Sequence, residues 1–336
     1  MKQIVGSMAL ALSSAVLALA IAEGLLRLLP DPEASHRYRA HPVWHHWLRP
    51  DQRTSLISRD PDRWPEPIKY ETNSWGCRYG KVVDAEHRIL VMGDSFTEGY
   101  YLEDTFAAVL ERRTGHQVIG CGNASYSPLL HYLRYRDHLM KLDPDEIIVN
   151  VDLTDIYDDN WRYGPEAVFA PNGEPLRAGP TWFALLAEEL RFRTRLGRLF
   201  LRRPRQDLVL PTSLNVFAYY RGMVPSDPRF QQEVGRTLSY LKRLTDLAKT
   251  QGASVTLTTY PYLNQLRDGA HGDRQWNRNL ELALAHFAAR EGLPFWSAFD
   301  ALDPHADSIY WPDDTHLTPR GQRVWAEAFA DYYLAR

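Results

Sequence analysis

Residues 88–99, RILVMGDSFTEG, contain an apolar run that ends abruptly in Gly93-Asp94-Ser95. The run predicts a buried strand, the glycine suits a tight turn, and Asp or Ser favours the first position of a helix. A strand, a turn and a helix cap therefore explain the backbone. The same geometry would expose the hydroxyl of Ser95 at the end of the strand, where a serine can act as a nucleophile.

The chain beyond this stretch alternates short apolar runs with helix-like segments. Strands are predicted at 88–92, 117–121, 146–151, 253–259 and 293–299. Helices are predicted near 103–113, 128–141, 229–250, 275–290 and 319–334. This alternation is typical of an α/β fold, here a mainly parallel five-stranded sheet with helices on both faces. In such sheets the chemistry lies beyond the carboxyl ends of the strands, which is where Ser95 falls.

The first thirty residues differ from the rest of the chain. Residues 4–22 carry no charge, and leucines extend the apolar character to residue 29. A helix of this length can cross a bilayer, so we expect a transmembrane signal anchor over residues 1–30, inserted through residues 4–29. The lysine that precedes it favours a cytoplasmic N-terminus and an exported remainder. A cleaved signal peptide is the alternative, because Ala18-Leu19-Ala20 has the small-x-small pattern of a cleavage site.

Residues 31–85 predict a Pro/Trp-rich juxtamembrane connector, because seven prolines between residues 30 and 67 interrupt any long helix. Its HPVWHHWL segment, residues 41–48, is interpreted as membrane-proximal and aromatic, since the histidines have no carboxylate nearby to complete a metal site. Cys77 and Cys121 could pair in an exported protein, but the sequence leaves this open. The net charge of −3 over 336 residues argues against a nucleic-acid partner.

An insertion at about 160–215 separates the third and fourth predicted strands. Its segment TWFALLAEELRFRTRLGRLFLRRPR, residues 181–205, has seven arginines from Arg191 to Arg205 and apolar residues at helical spacing. A basic amphipathic helix can lie on an anionic membrane or cover a cleft as a lid. A solvated helix packed on the domain is equally compatible with the pattern.

A serine nucleophile needs a base, and the base needs a group that holds its tautomer. The segment YWPDDTHLTPRG, residues 310–321, places Asp313, Asp314 and His316 in a loop before the last predicted helix. An Asp three residues before a His can bring its carboxylate to Nδ1 of the imidazole. Nε2 then faces outward, toward Ser95.

Gly93-Asp94-Ser95 and Asp313-x-x-His316 resemble the first and last blocks of the SGNH, or GDSL, hydrolase family. The likeness covers roughly residues 70–336 and includes TNSWGCRYG, which is similar to a segment of membrane-anchored bacterial members. It implies a three-layer α/β/α sandwich of flavodoxin-like type over residues 86–336. It also implies Ser95 as nucleophile, His316 as general base and acid, and Asp313 as the residue that orients His316. Asp314 is the alternative orienter, because related alginate O-acetyltransferase-like proteins have an Asp-x-His pair.

The resemblance also implies an oxyanion hole. The family usually has a glycine after the second strand, and GCGNASYS places Ser125 there, with Gly122 as the fallback. The family usually has an asparagine after the third strand, and VDLTDIYDD places Thr154 there. The expected donors are therefore the backbone N–H groups of Ser95 and Ser125, with help from Thr154. Losing one such donor costs about two to three orders of magnitude in turnover in other serine enzymes.

Two further clusters have competing interpretations. The carboxylates of Asp152, Asp155, Asp158 and Asp159 could bind a cation but lack the spacing of a calcium loop, so a polar rim or the start of the insertion is favoured. Tyr126, Trp161 and Tyr163 could line a sugar-binding cleft, although packing explains most aromatic residues. No metal or cofactor is predicted.

The sequence predicts a single-pass inner-membrane protein with a periplasmic serine esterase or acyl (acetyl) transferase domain that acts on a cell-envelope glycan through an acyl-enzyme. A transferase would need an acyl donor, for which a membrane-bound partner is a candidate. A lipid-directed esterase or lipase would instead fit the basic insertion. A catalytically silent glycan-binding scaffold would fit the two substituted oxyanion positions.

Overall fold

The computed structural model describes residues 2–29, 37–56, 67–99, 102–201, 213–221, 223–269, 278–312 and 316–336. The strands are β1 (Tyr38–His41), β2 (His45–Leu48), β3 (Arg53–Leu56), β4 (Ile68–Glu71), β5 (Arg88–Met92), β6 (Gln117–Gly120), β7 (Glu146–Val151), β8 (Val168–Phe169), β9 (Pro175–Arg177), β10 (Ser254–Thr259) and β11 (Phe295–Ser297).

The α-helices are α1 (Lys2–Arg27), α2 (Ser95–Glu98), α3 (Phe106–Thr114), α4 (Pro128–Asp137), α5 (Leu153–Tyr157), α6 (Trp182–Arg193), α7 (Arg195–Phe200), α8 (Ser213–Tyr220), α9 (Pro228–Thr250), α10 (Leu263–Gly269), α11 (Asn279–Glu291), α12 (Phe299–Leu302), α13 (Ala306–Ile309) and α14 (Pro319–Leu334).

The central sheet is parallel and has the order β11-β10-β7-β5-β6. Its middle strand, β7, is buried along its whole length, as expected of a parallel strand that is covered on both faces. The sequence prediction of a five-stranded α/β sheet is confirmed. The observed ends of these strands lie within one residue of the predicted ones, except that β11 is shorter by two residues at each end.

The chain steps outward from β5 to β6 and then returns past β5 to β7. Because parallel crossovers are right-handed, the helices of these two steps lie on opposite faces of the sheet. Accordingly, α3 packs against α14, and α4 packs against α9. The change of direction creates a crevice at the carboxyl ends of β5 and β7, where ligands bind in open α/β sheets. Residues 93–95 follow β5, and residues 152–154 follow β7.

The predicted connector contains more structure than its prolines indicated. Within residues 31–85, β1 pairs with β2 and β3 pairs with β4, both antiparallel. Trp44, Leu48, Tyr70 and Cys77 of this stretch are buried. The proline argument excluded long helices but did not account for four-residue strands, which need little uninterrupted chain. The described part of the connector therefore packs on the sheet domain.

The N-terminal helix α1 contains an 18-residue window, Leu10–Arg27, with mean hydropathy 1.7 and no buried residues. It is long and apolar enough to cross a membrane. Its last turns contact α7, within the insertion predicted at 160–215. The insertion also contains α6 and the β8-β9 pair.

Candidate active site

The turn after β5 brings Ser95 to the crevice between β5 and β7. The side chain of Asp94 accepts the backbone N–H of Phe96 at 2.9 Å and so caps α2, whose first residue is Ser95. A Cβ atom at Gly93 would lie 2.1 Å from Thr97 Oγ1 and 3.0 Å from Asn150 Cβ, so only glycine lets the turn pass this close to β7. The strand, turn and cap predicted from the sequence are therefore present.

His316 lies beside Ser95, although the two residues are 221 positions apart. Ser95 Oγ and His316 Nε2 are separated by 2.8 Å, within hydrogen-bond distance. The imidazole also stacks on Phe96, with ring centroids 5.0 Å apart. The antiparallel bridge between Tyr310 and Leu317 closes the loop that carries His316. Asp313 and Asp314, the two candidate orienters, lie outside the described residues.

The loop after β6 lies against α2. A Cβ atom at Gly122 would lie 2.2 Å from the backbone nitrogen of Glu98, so this glycine is required by the close approach of loop and helix. Ser125 has φ of 57°, in the left-handed region where glycine is favoured. Among the described residues, the backbone N–H groups of Ser95 and Ser125 have no hydrogen-bond partner. Both N–H groups are therefore available as donors.

Three contacts hold the Ser125 loop in place. The backbone N–H of Ala124 donates to Glu98 Oε2 at 3.0 Å, and the carbonyl oxygen of Ala124 lies 2.9 Å from His46 Nε2. The carbonyl oxygen of Ser125 accepts the hydroxyl of Tyr163 at 2.7 Å. The polar groups around the Ser125 N–H are thus committed to neighbours.

Glu98 is a site residue that sequence reasoning missed. It is fully buried and accepts hydrogen bonds from Arg37 Nη1 at 2.7 Å, from Tyr70 at 2.8 Å and from Tyr38, besides the Ala124 N–H. Arg37, Tyr38 and Tyr70 belong to the predicted connector, so Glu98 joins that stretch to the helix of Ser95. The available signal was a glutamate three residues after the serine, which by itself is an ordinary helix residue.

Thr154 lies at the carboxyl end of β7, as predicted, but its donors point to Asp152. Its backbone N–H lies 2.6 Å and its hydroxyl oxygen 2.7 Å from Asp152 Oδ1. Asp152 is the N-cap of α5, and Asp155 returns the capping bond by accepting the Asp152 N–H at 3.2 Å. The Thr154 hydroxyl could therefore donate to an oxyanion only if its hydrogen bond to Asp152 breaks.

Two tyrosines after β10 complete the polar floor of the crevice, and neither was singled out from the sequence. The Tyr260 hydroxyl lies 2.6 Å from Asp94 Oδ1 and 2.7 Å from Asp152 Oδ2. The Tyr262 hydroxyl lies 3.2 Å from Asp152 Oδ1. Burial, with the nearby Asp152 carboxylate, raises the pKa of Asp94 to about 7. The Asp94 carboxyl is therefore partly protonated at neutral pH.

The remaining acidic residues of the cluster are buried, so they do not form a polar rim. Asp158 and Asp159 directly precede the insertion predicted from about residue 160, which was the other interpretation. Asp155, Asp158 and Asp159 are each less than one-tenth exposed, and burial raises the pKa of all three, of Asp159 to about 7. Within the described residues, no group of three or more His, Cys, Asp or Glu is placed to hold a metal ion.

Tyr126 and Tyr163 are buried and pack in the core, whereas Trp161 is about half exposed.

Cys77 and Cys121, whose pairing the sequence left open, form a disulfide. Cys121 immediately precedes Gly122, at the start of the loop that carries Ser125. Cys77 lies in the TNSWGCRYG segment. The bond therefore ties this segment to the start of the active-site loop.

A model of the GDSL-like lipase/acylhydrolase family matches residues 91–324, about two-thirds of the chain. The chain belongs to this family. The match includes both Ser95 and His316, and it makes the protein a GDSL-type esterase. The resemblance seen in the sequence is thereby confirmed. Comparison with curated proteins finds no match.

Solved structures of a GDSL-like lipase and of an acetylxylan esterase are similar to this chain. A GDSL-like lipase from Bacteroides thetaiotaomicron is 15% identical with a TM-score of 0.41, and the match covers 74% of this chain and 89% of that one. A catalytic mutant of an acetylxylan esterase from Geobacillus stearothermophilus is 12% identical with a TM-score of 0.44, and the match covers 75% and 95%.

Proposed function

We propose that this GDSL esterase works through Ser95 as nucleophile, His316 as general base and then acid, and Asp313 as the residue that orients His316. The observation that carries the proposal is the 2.8 Å contact between Ser95 Oγ and His316 Nε2. A neutral imidazole at this distance can accept the serine proton as the oxygen attacks an ester carbonyl. Ser95 also lies at the N-terminus of α2, where the helix dipole favours developing negative charge.

The oxyanion of the tetrahedral intermediate would be held by the backbone N–H groups of Ser95 and Ser125, which have no partner among the described residues. His316 then donates its proton to the leaving alcohol, and an acyl-enzyme remains on Ser95. Attack by water on this ester releases the acid and regenerates the serine. Attack by a sugar hydroxyl would transfer the acyl group instead.

The proposed substrate is an acylated, most simply acetylated, glycan of the cell envelope. Two observations support an exported catalytic domain anchored by α1. The Cys77–Cys121 disulfide is typical of oxidising compartments, and α1 is long and apolar enough to cross the inner membrane. A domain held outside the cytoplasm at the membrane would meet envelope polymers as its nearest acylated substrates.

The proposed nucleophile can be tested with a fluorophosphonate probe, which labels activated serines. We expect the wild-type protein to be labelled, Ser95→Ala to lose all labelling, and the exposed Ser308→Ala control to be labelled like the wild type. His316→Ala should slow labelling by several orders of magnitude. Wild-type protein that stays unlabelled would exclude a serine mechanism, and labelling that persists in Ser95→Ala would exclude this serine.

The substrate class can be tested with p-nitrophenyl esters of increasing chain length and with acetylated envelope glycans. We expect turnover to be highest for acetyl esters and acetate to be released from the glycan. Adding deacetylated glycan as an acceptor distinguishes hydrolysis of the acyl-enzyme from transfer to a sugar hydroxyl, because a transferase would acetylate the added glycan. A steep rise in turnover with acyl-chain length would instead support a lipid-directed esterase, which the exposed apolar residues of α6 and α7 favour.

A further inference from the structure

Helix α6 exposes large apolar side chains at the protein surface. Four large apolar side chains project outward: Trp182 (63% exposed), Phe183 (66%), Leu186 (50%) and Leu190 (45%). Their spacing places Trp182, Phe183, Leu186 and Leu190 on one side of the helix. A surface helix of a soluble domain normally shows the reverse arrangement.

Two kinds of contact attach α6 to the body of the protein. Glu189 forms an ion pair with Arg39 of β1 at 3.0 Å, and the side chain of Arg191 is only 8% exposed. A Cβ atom at Gly179, just before α6, would lie 2.2 Å from the carbonyl oxygen of Pro42, so the chain enters the helix in direct contact with the β1-β2 turn. These contacts hold α6 against the β1-β2 hairpin and leave its large apolar side chains exposed.

Helix α7 attaches this element to the end of α1. The carboxylate of Glu23 accepts the backbone N–H groups of Arg195 and Leu196, at 3.1 and 3.0 Å. Arg27 Nη2 donates to the carbonyl oxygen of Arg193 at 3.0 Å. Glu23 lies four residues before the end of α1, a rise of about 6 Å along the helix. If α1 crosses the membrane, α7 lies at the level of the membrane surface.

The apolar surface continues from α6 through α7 to α1. Leu199 and Phe200 of α7 are more than half exposed, as are Leu28 and Leu29 directly after α1. Over α6 and α7 the sequence has four arginines against two glutamates. An apolar face with aromatic residues and an excess of arginines is typical of helices that lie in the interface of an anionic bilayer.

We propose that α6 and α7 form a membrane-docking element that inserts its apolar side into the surface of a bilayer containing anionic phospholipid. This proposal rests on the proposed anchoring by α1 and is independent of the esterase chemistry. Docking at a second point would fix the orientation of the sheet domain relative to the bilayer. The active site would then lie at a fixed distance from the bilayer surface, whereas a domain attached by α1 alone could rotate about that helix.

The test uses the full chain in nanodiscs of phosphatidylcholine, with and without phosphatidylglycerol. The environment-sensitive dye NBD is attached to single engineered cysteines under non-reducing conditions, which leave the Cys77–Cys121 disulfide closed. Leu186→Cys reports on α6, and Leu17→Cys reports on α1. Leu282→Cys on α11 is the matched control, because Leu282 is 43% exposed and its label shares the same anchor.

We expect quenching by lipids with a doxyl group on the acyl chain to be several-fold stronger at position 186 than at position 282, and stronger with phosphatidylglycerol than without it. Quenching at position 17 but not at 186 would overturn the docking proposal. Absence of quenching at both positions would overturn the anchor and the docking together, while fluorophosphonate labelling of Ser95 would be unaffected. A blue-shifted label at position 186 that is not quenched would indicate a protein partner or a second copy, and would also contradict the proposal.

Discussion

The hydroxyl of Thr154 donates a hydrogen bond to the carboxylate of Asp152, with 2.7 Å between Oγ1 and Oδ1. The sequence resemblance assigns Thr154 to the position where the family usually has an asparagine as an oxyanion donor. In this structure the side chain therefore donates to Asp152, the N-cap residue of its own helix. The oxyanion hole would depend on backbone N–H groups.

This contact predicts the effects of two substitutions at one position. Thr154→Asn should raise kcat, because an amide has two N–H donors and can serve both Asp152 and the oxyanion. Thr154→Val should change kcat less than about tenfold, since the hydroxyl it removes is committed to Asp152. Steady-state hydrolysis of p-nitrophenyl acetate measures both. A loss of about a hundredfold in Thr154→Val would show that the threonine itself stabilises the transition state.

Glu98 is expected to support both stability and activity. Glu98→Gln replaces an acceptor-only carboxylate that serves four donors, so at least one buried donor loses its partner. Breaking a buried charged pair costs about 3–5 kcal/mol. We expect a loss of stability of this order and a fall in kcat, because the Ala124 N–H that Glu98 holds lies next to Ser125.

Chemical denaturation and ester hydrolysis measure the two effects of Glu98→Gln. Tyr70→Phe removes only one of the four hydrogen bonds and should cost about 1 kcal/mol, so it remains informative if Glu98→Gln does not fold. Glu103→Gln, on an exposed glutamate of the same region, is the control. Unchanged activity in a folded Glu98→Gln protein would show that Glu98 does not position the loop.

Ser125→Gly should keep activity and raise stability. Ser125 has φ of 57°, which costs an L-residue about 1–2 kcal/mol relative to glycine, although the greater freedom of glycine in the unfolded chain offsets part of this gain. The backbone N–H remains in either residue. Ser125→Val should be destabilising, because a β-branched residue adopts positive φ poorly. Thermal unfolding measures the stability of both variants, and ester hydrolysis measures their kcat. A large loss of kcat in Ser125→Gly would indicate a role for the serine hydroxyl.

Asp159 predicts a dependence of stability on pH. Burial raises its pKa to about 7, against about 3.9 in the unfolded chain, and the Leu129 N–H donates to its Oδ1 at 3.1 Å. Between these values the unfolded chain has released the proton while the native chain retains it. The contribution of Asp159 to stability is therefore complete below about pH 4 and is lost as the pH rises toward 7.

Asp159→Asn keeps the acceptor for Leu129 and removes the titration. We expect its stability relative to the wild type to increase from pH 4 to pH 7 and then to level off. Comparing the two proteins cancels the opposite effect of His41 and His45, whose pKa values burial lowers to about 4. Asp307→Asn, on a carboxylate that is 91% exposed, controls for the loss of one charge. A difference that does not vary with pH would show that Asp159 is ionised in the native protein.

The Cys77–Cys121 disulfide is expected to be a major source of stability. The two residues are 44 positions apart, and the chain-entropy relation gives about 4 kcal/mol for a loop of this length. The free energy of unfolding of the Cys77→Ala/Cys121→Ala double variant, measured by chemical denaturation, should be lower by this amount. Dithiothreitol should destabilise the wild type and leave the double variant unchanged. Equal sensitivity of the two proteins to the reductant would contradict the bond.

The elements of the central sheet could be predicted from the sequence because their signals are local. Parallel strands such as β5 and β7 are buried on both faces, so each is a short apolar run that propensity and flanking turns identify. The Gly-Asp-Ser turn is equally local, since the glycine, the cap and the helix start are adjacent in the chain. The strands of the connector were missed because strands of only four residues, separated by prolines, are too short to show a clear periodicity.

Most of the candidate site could not be predicted in this way. The sequence supplied Ser95 and His316 through motifs at the two ends of the domain, but only the fold brings their reacting atoms to 2.8 Å. Glu98, Tyr260 and the pairing of Cys77 with Cys121 had no signal beyond their identity, because their partners lie far away in the chain. The outward apolar side of α6 likewise depends on which surface the helix meets. A residue pattern reports how much of a segment is buried, whereas its contacts depend on where the sheet places the other segments.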